Sequence, residues 1–190
     1  MATDEILVRR AQAGDMAAFG ELVGRYQDRV YGLSTRLLTC TEDARDAAQE
    51  IFIRVFKTLP GFDLRADFTT WLYRVATNVC LDQLRRRHRE RLCSLPARDE
   101  SGSQDRLQDD RAGPEELLLD KERQQAVRRA VADLPDEYRV ALVLHHYQQL
   151  SYRQVAACLD LTEKTVATRI HRAKLRLRQR LLLGGESDAL

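Results

Sequence analysis

The sequence predicts an all-α protein of two small helical domains joined by a flexible linker, with a helix-turn-helix in the C-terminal one. Apolar residues recur at spacings of three and four along most of the chain, with almost no strand-like alternation. Composition breaks sharply between residues 95 and 113, and beyond the break two short capped helices follow one another, the second unusually basic. A chain of 190 residues lies between one large domain and two small ones, and 44% hydrophobic content suits a folded protein.

In the first domain, Phe19, Leu22, Val23, Tyr26, Val30, Leu33 and Leu37 mark one amphipathic helix. Ala44, Ala47, Ala48, Ile51, Phe52, Val55, Phe56 and Leu59 mark a second. It begins after Thr41, with Glu42 and Asp43 at the positive end of its dipole, and Pro60-Gly61 stops it. A third set runs through Phe68, Trp71, Leu72, Val75, Ala76, Val79, Cys80 and Leu84. These helices can share one core, giving a domain over residues 1–94. Residues 95–113 are rich in Ser, Gly, Asp, Arg and Gln, too polar to offset the entropy of ordering, and are expected to be a flexible link.

Order resumes at Pro114, a residue suited to a first helical turn, in a second domain over 114–183 followed by a tail over 184–190. Leu117, Leu118, Val127, Val131 and Leu134 mark its first helix, which Pro135 ends. A short helix with Tyr138, Ala141, Leu142 and His145 on one face comes next. Ser151-Tyr152-Arg153-Gln154 fits a capping box opening the following helix, whose apolar side is Val155, Ala156 and Leu159. The last helix starts near Thr162 and carries Val166, Ile170, Ala173, Leu177 and Leu181.

The join at Leu159-Asp160-Leu161-Thr162 has helix-turn-helix length, with Asp160 tolerating a left-handed turn and Thr162 able to cap. With Val166 and Ile170 inward, Lys164, Thr165, Thr168, Arg169 and Arg172 face outward, joined by Ser151 and Tyr152 at the preceding helix. Arginine suits guanine edges, and threonine suits thymine methyls or phosphate oxygens. Seven Lys or Arg residues stand against one acid between Glu163 and Arg180, whereas the whole chain is only +2. The basic excess is therefore local, as in a nucleic-acid footprint.

A second basic cluster, Arg85-Arg86-Arg87-His88-Arg89, ends the third helix of the first domain. Before it lies a stretch with Phe62, Arg65, Phe68, Trp71, Tyr73 and Arg74. Aromatic rings beside cations suit single-stranded DNA, although Phe68 and Trp71 also have core periodicity. No apolar run approaches the ~18 residues of a membrane span, and the N-terminus has no signal-peptide core, so a cytoplasmic protein without membrane insertion is expected. Cys40, Cys80, Cys93 and Cys158 form no close cluster, so no metal and no cofactor are expected.

The series Asp43-Ala44-Arg45-Asp46-Ala47-Ala48-Gln49-Glu50-Ile51-Phe52, then Phe68 to Asn78, Leu134-Pro135 and Leu150-Ser151-Tyr152, resembles an extracytoplasmic-function (ECF, group 4) sigma factor of bacterial RNA polymerase, sigma-E-like. The resemblance covers nearly the whole chain in order and spacing. It implies that Asp46, Gln49, Glu50 and Arg54 dock on the clamp helices of the polymerase's largest subunit. It implies that the loop from Phe62 to Asp67, including Arg65, forms a pocket for a base flipped from the −10 element. Trp71, Tyr73, Arg74 and Asn78 would lie along that DNA, with Arg85 and Arg86 near its backbone. The second domain would read the −35 element and meet the flap region. The linker, with Asp99, Glu100, Asp105, Asp109 and Asp110, would thread towards the active-site cleft. Control by an anti-sigma factor is also implied. Two departures, a −10 loop without glycine (Asp63 to Asp67) and Ala167 where a basic residue is frequent, bear on promoter sequence.

No covalent chemistry is expected of the chain itself. A stand-alone repressor would use the second domain alone. A helical hydrolase would need a converging nucleophile, base or metal site, and Asp109-Asp110 lies in the linker.

Overall fold

The computed structural model describes residues 2–93 and 114–185, with side chains of 90–93, 114–122 and 183–185 excepted. The expected linker falls outside the described residues, as do the acids placed in it and the side chains of Leu117, Leu118 and Cys93. The described chain is helical: α1 (Asp4–Gln12), α2 (Met16–Leu38), α3 (Thr41–Thr58), α4 (Phe68–Cys93), α5 (Pro114–Ala132), α6 (Asp136–Leu142), α7 (Tyr152–Leu159) and α8 (Glu163–Gly185). A 3-10 turn (Leu59–Gly61) follows α3, and a π-turn (Val143–Tyr147) follows α6.

The periodic sets sit where burial needs them. In α2 these are Leu22, Tyr26, Val30, Leu33 and Leu37; in α3, Ala44, Ala47, Ile51 and Val55. In α4 they are Phe68, Leu72, Ala76, Val79 and Cys80. Asp15 caps α2 by accepting from the Ala17 and Ala18 amides, and Asp67 caps α4 by accepting from Thr70 N. Helix α1 was absent from the periodic reading because only the adjacent Leu7 and Val8 are buried in it, and two neighbours make no stripe. Its anchor is polar. Gln12 Nε2 donates to the Leu59 carbonyl (2.9 Å), which also accepts the Phe62 amide, and to the Phe62 carbonyl (2.8 Å) at the end of the 3-10 turn.

Three expectations of burial fail. Phe56 is 46% exposed, Leu181 is 40% exposed and Val127 is 36% exposed. Phe56 meets solvent on one side while packing edge-on against Phe19 at 5.1 Å. Val127 and Leu181 keep helical spacing, but among the described residues the side each presents has too little opposite it to cover it.

In the second half, the local signals take the form their residues dictate. Ser151 N and Gln154 Oε1 (3.0 Å), with Gln154 N and Ser151 Oγ (3.2 Å), close the capping box. Asp160 adopts φ 55° and ψ 48°, the left-handed turn, and Thr162 Oγ1 caps α8 by accepting from Thr165 N at 3.2 Å. Val166, Ile170 and Ala173 are fully buried beneath α8.

The two halves also pack on each other. Helix α4 lies against α7, and α2 lies against the π-turn, α5 and α6. Tyr73 Oη donates to Gln148 Oε1 at 2.6 Å, and Cys158 Sγ donates to Thr70 O at 3.2 Å. The Arg36 guanidinium sits 4.4 Å over the Tyr147 ring. Buried residues from both halves form one continuous core cluster.

Replacing Gln12 with alanine removes a donor from two part-buried carbonyls, of which Leu59 O keeps the Phe62 amide. A loss of about 1–3 kcal/mol is expected, read from the urea midpoint at constant m-value.

Candidate nucleic-acid interfaces

The turn at Asp160 sets α8 so that its buried face fixes the opposite one. Lys164, Thr165, Thr168, Arg169 and Arg172 line a shallow groove of about 360 Å³, together with Glu137 and Tyr138 of α6. Sequence reasoning proposed the five and missed the two, which lie about thirty positions away and are invisible to local pattern. Arg169 Nη2 pairs with Glu137 Oε2 at 3.2 Å, and Arg172 Nη1 donates to Tyr138 Oη at 3.4 Å. That contact raises the Arg172 pKa.

The hydroxyls near this groove are engaged within the chain. Thr168 Oγ1 donates to Lys164 O at 2.9 Å, and Thr165 and Thr162 share a hydrogen bond of 2.9 Å. Ser151 spends its hydroxyl in the capping box. Tyr152 is 37% exposed, with its ring edge-on to His145 at 4.8 Å.

In the first half, Phe62, Phe68 and Trp71 form one cluster, with Phe62–Trp71 centroids 4.8 Å apart and Phe68–Trp71 5.8 Å apart. Phe62 and Phe68 are buried and Trp71 is half-buried, so the core periodicity of Phe68 and Trp71 accounts for most of their ring area. Beside the Phe62–Asp67 loop lies a hollow of about 260 Å³, lined by Phe62, Leu64, Asp67, Phe68 and Thr69. Its other wall is Asp4, Glu5 and Val8 of α1, which no local pattern places there. Tyr26 bonds the Asp4 carboxylate and Thr69 Oγ1. Burial, then that carboxylate, push its phenol up to about 12.

Arg65, Arg74, Asn78, Arg85 and Arg86 are exposed, and Arg74, Asn78 and Arg85 share one face of α4. Tyr73 departs from the expected DNA-facing position: it is 1% exposed, sealed in the seam against Gln148. Its i+3/i+4 neighbours are core residues, so it points away from Arg74. Arg87 of the basic run also turns inward, to pair with Asp43.

On α3, Glu50 pairs with Arg54 at 2.8 Å, and Arg54 reaches Asp82 of α4 at 3.6 Å. Asp46 and Gln49 stay exposed, and Ile53 (48%) and Phe56 (46%) extend them at spacings of three, four and three. This stripe is the seam spacing by which one helix lies along another. The sequence reading lacked its apolar half because Phe56 was counted as core.

A helix-turn-helix with a cationic groove, and a separate half bearing an aromatic-basic strip, define a helical DNA-binding protein with two distinct faces. Comparison with known proteins is more specific. Sigma-70 region 2 matches residues 22–90 and sigma-70 region 4 matches residues 124–177. The ECF RNA polymerase sigma factor SigW of Bacillus subtilis is 32% identical over 176 residues, covering 92% of this chain and 94% of that protein. The ECF RNA polymerase sigma-E factor of Escherichia coli K12 is 37% identical over 177 residues, covering 90% and 91%. Among solved structures, CnrH in complex with the cytosolic domain of CnrY matches with a TM-score of 0.69 and 27% identity, over 94% of this chain and 96% of that one. The sigma factor RpoE in complex with the anti-sigma factor NepR, from Bartonella quintana, gives 0.71 at 21% identity over 86% and 96%, a likeness of fold. The chain belongs to the ECF sigma factors of bacterial RNA polymerase.

Among the described residues no helix is long and apolar enough to cross a membrane, and no cluster of three or more His, Cys, Asp or Glu could hold a metal. Burial pushes the Cys80 thiol up to about 11 and the Cys158 thiol up to about 12, whereas Cys40 is half-buried. In a Cys93→Ser background at about pH 8, a disulfide reagent is therefore expected to modify Cys40 first. Cys80 and Cys158 should react only at the rate of opening, checked by mass spectrometry of the labelled chain.

Proposed function

We propose that this sigma factor selects promoters at two points while docked on core RNA polymerase. In this reading α8 reads the −35 duplex through Lys164, Arg169 and Arg172. The exposed face of α4 (Arg74, Asn78, Arg85, with Arg86 and Arg65 nearby) follows the melted −10 strand. The hollow beside Phe62–Asp67 takes a flipped base. The stripe of Asp46, Gln49, Ile53 and Phe56 docks on the clamp helices, with Glu50 and Arg54 at its edge. Residues 1–94 and 114–183 act as the two binding halves, with 95–113 between them. An anti-sigma protein is the expected regulator, as with the relative solved with NepR.

The observation that carries the reading is the co-existence of the α8 groove with the α3 stripe. A stand-alone repressor uses the first and has no need of the second. Exposing Ile53 and Phe56 side by side is costly unless a partner covers them. The chain contributes sequence choice, and the polymerase contributes the chemistry.

The seam supports one further step. With Tyr73 on Gln148 and Thr70 on Cys158, the free chain covers part of α4 beside its basic strip. Docking on core polymerase would hold the halves apart, and two modest DNA faces would then act at a set separation.

Run-off transcription with core polymerase should show start-site selection only when this chain is present. Absence of selection, or tight specific promoter binding by the free chain at physiological salt, would sink the proposal. Replacing Tyr147 and Gln148 with alanine should loosen the seam. The radius of gyration should rise in small-angle scattering, and free-chain affinity for single-stranded −10 DNA should strengthen about three- to tenfold. An unchanged radius and affinity would show that the seam does not gate the strip.

A further inference from the structure

Four arginines of α8, Arg169, Arg172, Arg176 and Arg180, follow one another at steps of three, four and four, so they share one face. All four meet side chains from the junction between α5 and α6. Arg169 pairs with Glu137 at 3.2 Å, and Arg172 donates to the Tyr138 hydroxyl at 3.4 Å. Arg176 lies 5.2 Å over the Tyr138 ring, and Arg180 pairs with Asp133 at 2.7 Å.

The junction that carries these partners is itself fixed. Leu134 is 5% exposed, and the Tyr138 and Arg139 amides both donate to Pro135 O, at 2.9 and 3.0 Å. Arg139, also 5% exposed, pairs with Asp136 and donates to Ala132 O at 2.7 Å, tying the end of α5 to the start of α6. Buried on that rigid turn, Tyr138 is 8% exposed.

From this geometry we infer that Glu137 and Tyr138 are positioning residues for promoter choice, holding Arg169 and Arg172 in the orientations with which they read base edges. The inference rests on the −35 reading proposed above. An arginine side chain is long and rotamer-rich, and a guanidinium reads guanine bidentately only when its plane is set. Glu137 occupies one nitrogen of Arg169, and the remaining N–H groups of the fork are left to meet O6 and N7. Arg169 is 26% exposed and Glu137 49%, so the pair lies at the mouth of the groove, within reach of a duplex.

The placement of an acid there has a second consequence. Glu137 opposes the phosphates, so it weakens binding to DNA in general while sharpening choice among sequences. Affinity and specificity therefore move in opposite directions when it is removed. A residue that only stabilised the fold would weaken both.

The test uses holoenzyme assembled with core polymerase and a promoter set in which each −35 base pair is substituted in turn, scored by competition for open complexes. R169A should lose discrimination at one base pair. E137A should lose discrimination at that same pair, by about tenfold, while binding to the substituted promoters strengthens or holds. E137Q, which keeps an acceptor, should retain more discrimination than E137A. Y138F should relax choice at the pair lost in R172A, with the ring under Arg176 retained. The inference is overturned if R169A alters discrimination and E137A does not. It is also overturned if E137A weakens cognate and substituted promoters alike, or relaxes a different base pair from R169A, which would make Glu137 a direct reader. An R169A variant that discriminates normally at every position would overturn the −35 reading and this inference together.

Discussion

Helix α4 has to be buried on two sides, and the rest of the molecule is arranged around that demand. Phe68, Leu72, Ala76, Val79 and Cys80 close the core against α2 and α3, while Tyr73 and the Thr70 carbonyl turn towards the second half. A helix apolar around most of its circumference must be covered around most of it. As far as Leu84 the face left to solvent is narrow, with Arg74, Asn78 and Asp82 on it, and the exposed Arg85, Arg86, His88 and Arg89 follow. The basic strip is thus a remainder, set by what the core and the seam do not claim. Asp82 interrupts it and pairs with both Arg85 and Arg54, which links the strip to the exposed side of α3.

What was legible in the sequence was what depends on near neighbours. The capping box at Ser151-Gln154, the left-handed Asp160, the Thr162 cap, the start at Pro114 and the break at Pro135 each involve residues within a turn of one another. Their geometry follows from local sterics and hydrogen bonding. The face of α8 was legible for the same reason, since Val166 and Ile170 fix which way Arg169 and Arg172 point. The family itself was legible through motifs spread along the chain.

What was not legible depends on residues far apart. Nothing local in Gln12 announces that its amide will close the carbonyls of Leu59 and Phe62 and so hold the mouth of the aromatic loop. Tyr73 is expected along the DNA from the family pattern, and it is the distant Gln148 opposite it that makes it a buried ring instead. Phe56 has core periodicity and one aromatic neighbour, yet among the described residues none covers its other side. Periodicity gives the direction of a side chain and leaves open whether a partner exists there.

The groove on α8 shows how the same residue types divide between building a site and using it. Ser151, Thr165 and Thr168 are expected at the DNA, but their hydroxyls close a cap, pair with the capping Thr162 and back-bond to the helix. A hydroxyl already satisfied within one turn gains little by turning to a phosphate, because the exchange is nearly even. Arginine is different. One carboxylate or phenol takes one of its five donors and leaves the others free, so being held and reading are compatible. In the proposed −35 reading, recognition therefore falls on Arg169 and Arg172, with Lys164 as a point charge beside them. The small polar residues around them supply the rigidity that makes an arginine's direction meaningful.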